Sequence, residues 1–320
     1  MRLVIIKVLN KMKRRKFLKN TFLGAAALSA PTLMTYGTNP LNNLKLSLAQ
    51  WSLHRNFNNG NLDPNDFAGI AINTYGINAV EYVNQFYMDS GEDEKFWINM
   101  KKRADDVNVK SMLIMVDDEG DLGIANDKER QKSIENHYKW VNAAKILGCH
   151  SVRVNAFGEE SKEAYRTAII DSMGRLSDYA AKENINIIIE NHGLFSSDAK
   201  LITGIIKQVN KPNFGTIPDF GNWCLSAKWG TTQGECNEAY DMYQGVSEFL
   251  PFAKAVSAKS YNFNDKGENT KIDYYKMLKI VKDSGYNGHI GIEYEGTILS
   301  EHEGILATKA LIEKVWESLE

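Results

Sequence analysis

The 320-residue chain predicts a (β/α)8 TIM barrel, an α/β fold built as a single domain after an N-terminal signal segment. Three observations carry that expectation. Eight short runs of apolar and β-branched residues recur, at 45–51, 79–83, 110–116, 151–155, 186–190, 215–219, 255–259 and 289–293. Longer segments with helical spacing of apolar residues lie between them, among them 134–147, 164–181, 274–283 and 306–319. Roughly 275 residues follow the leader, large for an ordinary domain and typical of an α/β barrel. Strand–helix alternation argues for a parallel sheet, and eight repeats favour closure. An open, doubly wound sheet is the weaker alternative, because no Gly-rich phosphate loop follows the first strand.

The elements are justified in chain order. Residues 1–20 hold eight basic side chains and no acidic one, and Arg14 and Arg15 open the string Arg-Arg-Lys-Phe-Leu-Lys. A short apolar run over 21–30 ends in small residues. Together these describe a twin-arginine-type signal peptide over 1–30, with a linker over 31–43 and the barrel over 44–320. The expected location is exported, periplasmic, without a stable membrane anchor, since the run is too short to span a bilayer. A basic leader without export, or a membrane tether, is the plainer reading.

The first strand leads into Trp51 and His54, and Gly76 stops the helix before the second strand. The second strand carries Glu81 and is followed by Asn84. Gly148 ends the long helix before strand four, which closes on Asn155. Strand five ends in Glu190, followed by Asn191 and His192. Strand six ends in Asp219, and a long loop over 221–237 then carries Asn222, Trp223, Cys224 and Trp229. Strand seven holds Ser257 and Lys259. Gly285 precedes strand eight, which holds Glu293 and leads to Glu295.

The composition narrows the partners. The chain has 38 basic and 40 acidic residues; without the eight leader cations the count is 30 against 40, about −10. An acidic barrel lacks the electrostatic footprint for nucleic acid. Three cysteines, Cys149, Cys224 and Cys236, have no metal spacing and make a disulfide framework unexpected; a Cys224–Cys236 bond across one loop is the minority alternative.

Glu190, Asp219 and Glu293 stand at strand ends, which converge on one mouth of a parallel barrel. Crowded carboxylates repel one another unless a cation or a shared proton relieves them. An oxygen-rich set joined by His192 suits Mn²⁺ or Mg²⁺ better than a structural zinc site. The alternative is an ion-pair network with Lys259, His54 or Arg153 and no metal. Trp51, His54, Glu81, Asn155, Asn222, Trp223 and Glu295 are candidate substrate-binding residues. The plain readings are a plugged mouth for Trp51 and His54, a strand-end acid for Glu81, and turn residues for the asparagines. His150 and His289 fall at strand starts, where a structural role is expected, and His137 and His302 read as surface residues.

The strings Leu-Ala-Gln-Trp-Ser-Leu-His, Ile-Glu-Asn-His-Gly, Pro-Asp-Phe-Gly-Asn, Ser-Ala-Lys-Ser-Tyr and Ile-Glu-Tyr-Glu-Gly, in this order, carry a resemblance over nearly the whole chain after the leader. The chain resembles the xylose-isomerase-like barrel superfamily, in particular an exported branch of sugar phosphate isomerase/epimerase-like proteins. The resemblance implies a divalent cation on Glu190, Asp219 and Glu293, with Ser257 where the family commonly has a histidine ligand. It implies Glu190 and Glu293 as the base and acid of proton transfer beside a carbonyl through an enediolate, with Lys259 stabilising the oxyanion. The expected function is a metal-dependent isomerase or epimerase of an unphosphorylated keto-sugar or sugar derivative. A lyase or dehydratase on an oxo-sugar or 3-oxo-glycoside uses the same enediolate and is the first alternative. A non-catalytic carbohydrate-binding barrel is the second.

Overall fold

The computed structural model describes residues 43–319. The expected signal segment and almost all of the linker lie outside the described residues. Eight strands follow one another: β1 (Leu46–Ala49), β2 (Ala79–Val83), β3 (Lys110–Val116), β4 (Ser151–Val154), β5 (Asn186–Glu190), β6 (Phe214–Ile217), β7 (Val256–Ser260) and β8 (Ile290–Tyr294). Helices connect them: α1 (His54–Asn58) and α2 (Phe67–Tyr75), then α3 (Glu94–Asp106), α4 (Asp127–Leu147), α5 (Lys162–Ala181), α6 (Ala199–Val209), α7 (Met242–Phe249), α8 (Tyr274–Asp283) and α9 (Glu301–Ser318).

All strand pairings are parallel, in the order β6-β5-β4-β3-β2-β1-β8-β7. The two ends of this order meet. Bridges Thr216↔Ala253 and Asp219↔Ser257 run parallel between them, and Ser257 N donates to Pro218 O at 3.0 Å. The sheet is therefore a closed (β/α)8 barrel, as the alternation of elements predicted.

Local chemistry sets the element ends. Gly76, Gly148 and Gly285 all sit at positive φ, 67°, 78° and 75°, where a side chain would be strained. Asn126 caps α4, and Ser300 with Glu303 forms a capping box on α9. β1 stops at Ala49, earlier than expected, because Gln50–Leu53 winds into a 3-10 turn. β6 stops before Pro218, which has no N–H for the ladder.

Two apolar layers hold the barrel. The larger lies between strands and helices and includes Trp97, Trp140, Ile169, Ile187, Phe249 and Ile312. The smaller fills the lumen with Ala49, Val83, Leu113, Met115, Ile188, Ile217 and Ala255. Each fully buried Ile, Val or Leu contributes about 1.5–3 kcal/mol, so these layers are stiff enough to hold charged groups at the mouth. Burial of His137 (2% exposed) corrects its reading as a surface residue: its Nδ1 lies 2.7 Å from Ser133 O, on the inner face of α4. His302 is exposed as expected.

Candidate active site

Glu190, the last residue of β5, Asp219, just past β6, and Glu293 in β8 bring carboxylate oxygens within 4.8 Å of one another, all buried. Asn191 fixes the middle member. Its Oδ1 accepts from Asp219 N at 2.8 Å, and its Nδ2 donates to Asp219 O at 3.0 Å. Asp219 Oδ1 then accepts from Gly221 N and Asn222 N at 2.8 and 2.9 Å. Asn222 Nδ2 donates to Glu190 Oε1 at 3.2 Å.

Ser257 Oγ lies 2.6 Å from Asp219 Oδ2 and 2.9 Å from Glu293 Oε2. A hydroxyl has one proton and can satisfy one ionised carboxylate. The second contact therefore requires a proton on Asp219 or Glu293, or a cation between them. The wider balance points the same way. Five carboxylates, Glu190, Asp219, Glu293, Asp117 and Glu295, meet two cations, Arg153 and Lys259. Arg153 Nη1 contacts Asp117 at 2.6 Å, and its Nε lies 2.9 Å from Glu190 without hydrogen-bond alignment. Lys259 Nζ lies 3.2 Å from Glu293 and 3.3 Å from Glu295.

Burial raises the carboxyls of Glu190, Asp219 and Glu293 above their ordinary range, against Arg153 and then Lys259 at Glu190 and against Lys259 at the other two. Burial pulls Lys259 the other way, yet Glu293, Glu295, Asp219 and Glu190 outweigh it and hold the ammonium charged. Excess protons thus belong to the carboxylate cluster, shared among its members, and not to a neutral lysine. A hard, all-oxygen donor set with surplus negative charge fits a divalent cation. The ion pairs weighed as the metal-free alternative, Arg153 with Glu190 and Lys259 with Glu293, are also present, and they leave that surplus uncancelled.

A cavity of about 340 Å³ opens over the cluster, at the small end of the roughly 300–1,000 Å³ usual for ligand sites. Trp51, His192, Asn222, Lys259, Glu293 and Glu295 line it. Trp51 stands on the His54 ring, with centroids 4.6 Å apart and planes at 11°. His54 Nδ1 lies 2.6 Å from Trp51 O, so His54 supports Trp51 and does not line the cavity. His192 lies at the wall, outside the three-carboxylate cluster, with burial and then Arg153 pushing its imidazole down to about 3.

Three expectations change. Trp223 is fully buried, donates to Asp219 O at 2.8 Å and packs on Tyr240 and Phe249; it is a core residue. The loop instead presents Trp229 to the cavity. Glu81 lies one side-chain layer below the mouth, bonded to Ser47 Oγ at 2.5 Å and pressed against Gly291, not at the end of its strand. Asn155 does not line the cavity either; it bridges Asp117, Arg153 and His192. Asn84 likewise clamps the Asp117 backbone.

The cysteine reading is also corrected: Cys224 and Cys236 are bonded, with Cα atoms 5.8 Å apart, and Cys149 is free and buried. The loop doubles back on itself, with Cys224 N donating to Gly230 O and Leu225 N to Glu238 O, which brings the pair together. His150 and His289 sit at the opposite end of the barrel, preceding β4 and β8, where a structural role was expected.

Sequence reasoning left Asp117 out and gave Arg153 only a pairing role. Asp117 follows the apolar run of β3 directly, the same signal that marked Asp219. Arg153 is an arginine inside a buried strand, which itself signals a compensated charge.

A family model described as "Xylose isomerase-like TIM barrel" matches residues 70–315. A mouse (Mus musculus) protein named "Putative hydroxypyruvate isomerase" is 24% identical over 194 residues, covering 55% of this chain and 65% of that protein, so the match spans slightly under two thirds of the relative's length. The crystal structure of a protein named IOLI with a bound zinc atom superposes with a TM-score of 0.65 at 14% identity, covering 87% of this chain and 99% of that one. A D-tagatose 3-epimerase-like protein superposes with a TM-score of 0.64 at 15% identity, covering 86% and 98%. The strand-end carboxylates, the closed parallel barrel and the match over most of the chain agree: this protein belongs to the xylose isomerase-like TIM barrel family.

Proposed function

We propose that the protein is a metal-dependent isomerase or epimerase of an unphosphorylated keto-sugar or related sugar derivative. The observation that carries this reading is the Glu190–Asp219–Glu293 cluster, in which one serine proton serves two carboxylates. Glu190, Asp219 and Glu293 would hold the cation. When bound, it would supply Lewis-acid stabilisation for negative charge developing on a sugar carbonyl oxygen.

The chain's own residues supply the rest. Glu293 lines the cavity from β8, and Glu190 stands beside it at the end of β5, a pairing that suits proton removal and return. Lys259, held charged, directs its ammonium into the same floor and can steady an oxyanion. Trp51 offers a flat apolar face to a sugar ring.

Arg153 and Lys259 are the cavity's single arginine and single lysine, not the cluster of cations a phosphate clamp uses, which supports a substrate without phosphate. Export is part of the same proposal: a disulfide in the mouth loop suits an oxidising compartment.

Elemental analysis of chelator-free wild type and Asp219→Ala tests the reading. About one divalent ion per chain in wild type, lost in the variant, is the expected outcome, followed by solvent-deuterium incorporation into keto-sugars. Absence of metal after Mn²⁺ is supplied would refute it.

A further inference from the structure

The side chains behind Glu190 determine where the protons of His192 sit. Arg153 Nη1 lies 2.6 Å from Asp117 Oδ1, and this guanidinium holds the carboxyl below its usual range despite burial; as a carboxylate it only accepts hydrogen bonds. Its Oδ1 takes Arg153 Nη1 at 2.6 Å and Asn155 Nδ2 at 2.5 Å. That second bond orients the Asn155 amide, since the nitrogen must face the carboxylate and the oxygen must face away.

Asn155 Oδ1 accepts from Arg153 Nη1 at 3.1 Å and lies 2.7 Å from His192 Nδ1. An amide oxygen has no proton to give, so His192 Nδ1 is the donor. The guanidinium of Arg153 shares the same acceptor, and a second positive charge on the ring would lie beside it. The neutral ring thus carries its proton on Nδ1 and leaves Nε2 a bare acceptor.

Aromatic packing also holds the ring. Trp229 meets it edge-on at 5.0 Å, and Phe157 stacks at 6.2 Å. The backbone of Asp117 is held in turn by the Asn84 amide, at 2.8 and 2.9 Å. Nε2 thereby adds a neutral acceptor for a ligand hydroxyl to a wall that also holds the donors Arg153 and Lys259 and the carboxylates of Asp117, Glu293 and Glu295.

We propose that His192 is a fixed hydrogen-bond acceptor that reads a substrate hydroxyl, and is not a metal ligand, with Asp117 and Asn155 as its positioning residues. The hydroxyl clause rests on the carbohydrate reading above; the proton placement rests on geometry alone.

Nitrogen-15 imidazole spectra of the metal-free full chain test the placement, with His192 assigned by its absence from His192→Phe. A protonated Nδ1 and a bare Nε2 are expected, and Asn155→Leu should move the proton to Nε2 or average the two signals. A proton on Nε2 in wild type, an imidazolium at neutral pH, or an unmoved proton in a folded Asn155→Leu overturns the proposal. Should Asn155→Leu fail to fold, the wild-type spectrum decides alone.

D-fructose added as a probe should shift Nε2 and leave Nδ1 in place. An unmoved Nε2 overturns the hydroxyl clause. Mn²⁺ titration separates the roles: His192→Phe should keep wild-type affinity, whereas a loss of roughly tenfold or more would make His192 part of the metal site and overturn the proposal. Failure of wild type to bind Mn²⁺ refutes the proposed function and leaves the spectra, and the proton placement, untouched.

Discussion

Glu81→Gln removes a carboxyl that the barrel keeps protonated. Burial in the lumen, followed by the nearby charges of Glu293 and Glu190, pushes Glu81 from 4.5 up to about 8, against the opposing hydrogen bond from Ser47. Its Oε2 is buried without a hydrogen-bond partner, which suits a neutral acid better than an anion. The fold therefore holds this proton more tightly than the unfolded chain does. Stability from that difference is fully present below about pH 4.5 and is lost as the pH rises to about 8. At about 1.4 kcal/mol for each pH unit, the loss reaches at most about 5 kcal/mol, on the order of 10 °C in Tm for a chain of this size. Glutamine cannot ionise and avoids the loss. Thermal unfolding of metal-free wild type and Glu81→Gln should thus coincide near pH 4.5 and diverge toward pH 8, with the variant more stable. A cation in the carboxylate cluster should narrow the gap by neutralising Glu190 and Glu293. A gap independent of pH, or one that favours wild type at pH 8, would refute the reasoning and mean that Glu81 is ionised in the fold.

Further outcomes can be measured directly. Glu190→Gln and Glu293→Gln should each abolish turnover, by about 10²-fold or more, while thermal unfolding shows the fold retained. Ser257→His should bind Mn²⁺ more tightly than wild type by titration, because an imidazole is a better donor than a hydroxyl and no longer bridges Asp219 and Glu293. Lowering the pH should release metal from wild type, since protons compete for the same raised carboxyls; retention at pH 4 would contradict this. Gly193→Ala should lower stability by about 1–3 kcal/mol and shift tryptophan fluorescence. Its φ is 96°, and a Cβ there would clash with Ala227 O and so displace the loop bearing Trp229.

The sequence by itself determined the barrel and the floor of its site. Strand and helix periods are local, so β2, β3 and β5 fell where alternation and β-branched runs placed them, and Gly76, Gly148 and Gly285 marked helix ends through their own backbone freedom. The cluster of Glu190, Asp219 and Glu293 was legible for a related reason: a parallel barrel delivers every strand end to one mouth, so order along the chain predicts proximity. Depth and direction were not legible. Glu81 and Glu293 both lie in strands, yet one is buried below the floor and the other forms it, because the stagger between strands sets the height of each layer. Trp223 and Trp229 share one loop, and only its folding back onto itself, closed by Cys224 and Cys236, sends the first into the core and the second to the cavity. The partners of Arg153, and the chain from Asp117 through Asn155 to His192, join residues up to 75 positions apart. Such contacts depend on side-chain rotamers packed across three strands, which no local pattern encodes and only the assembled barrel decides.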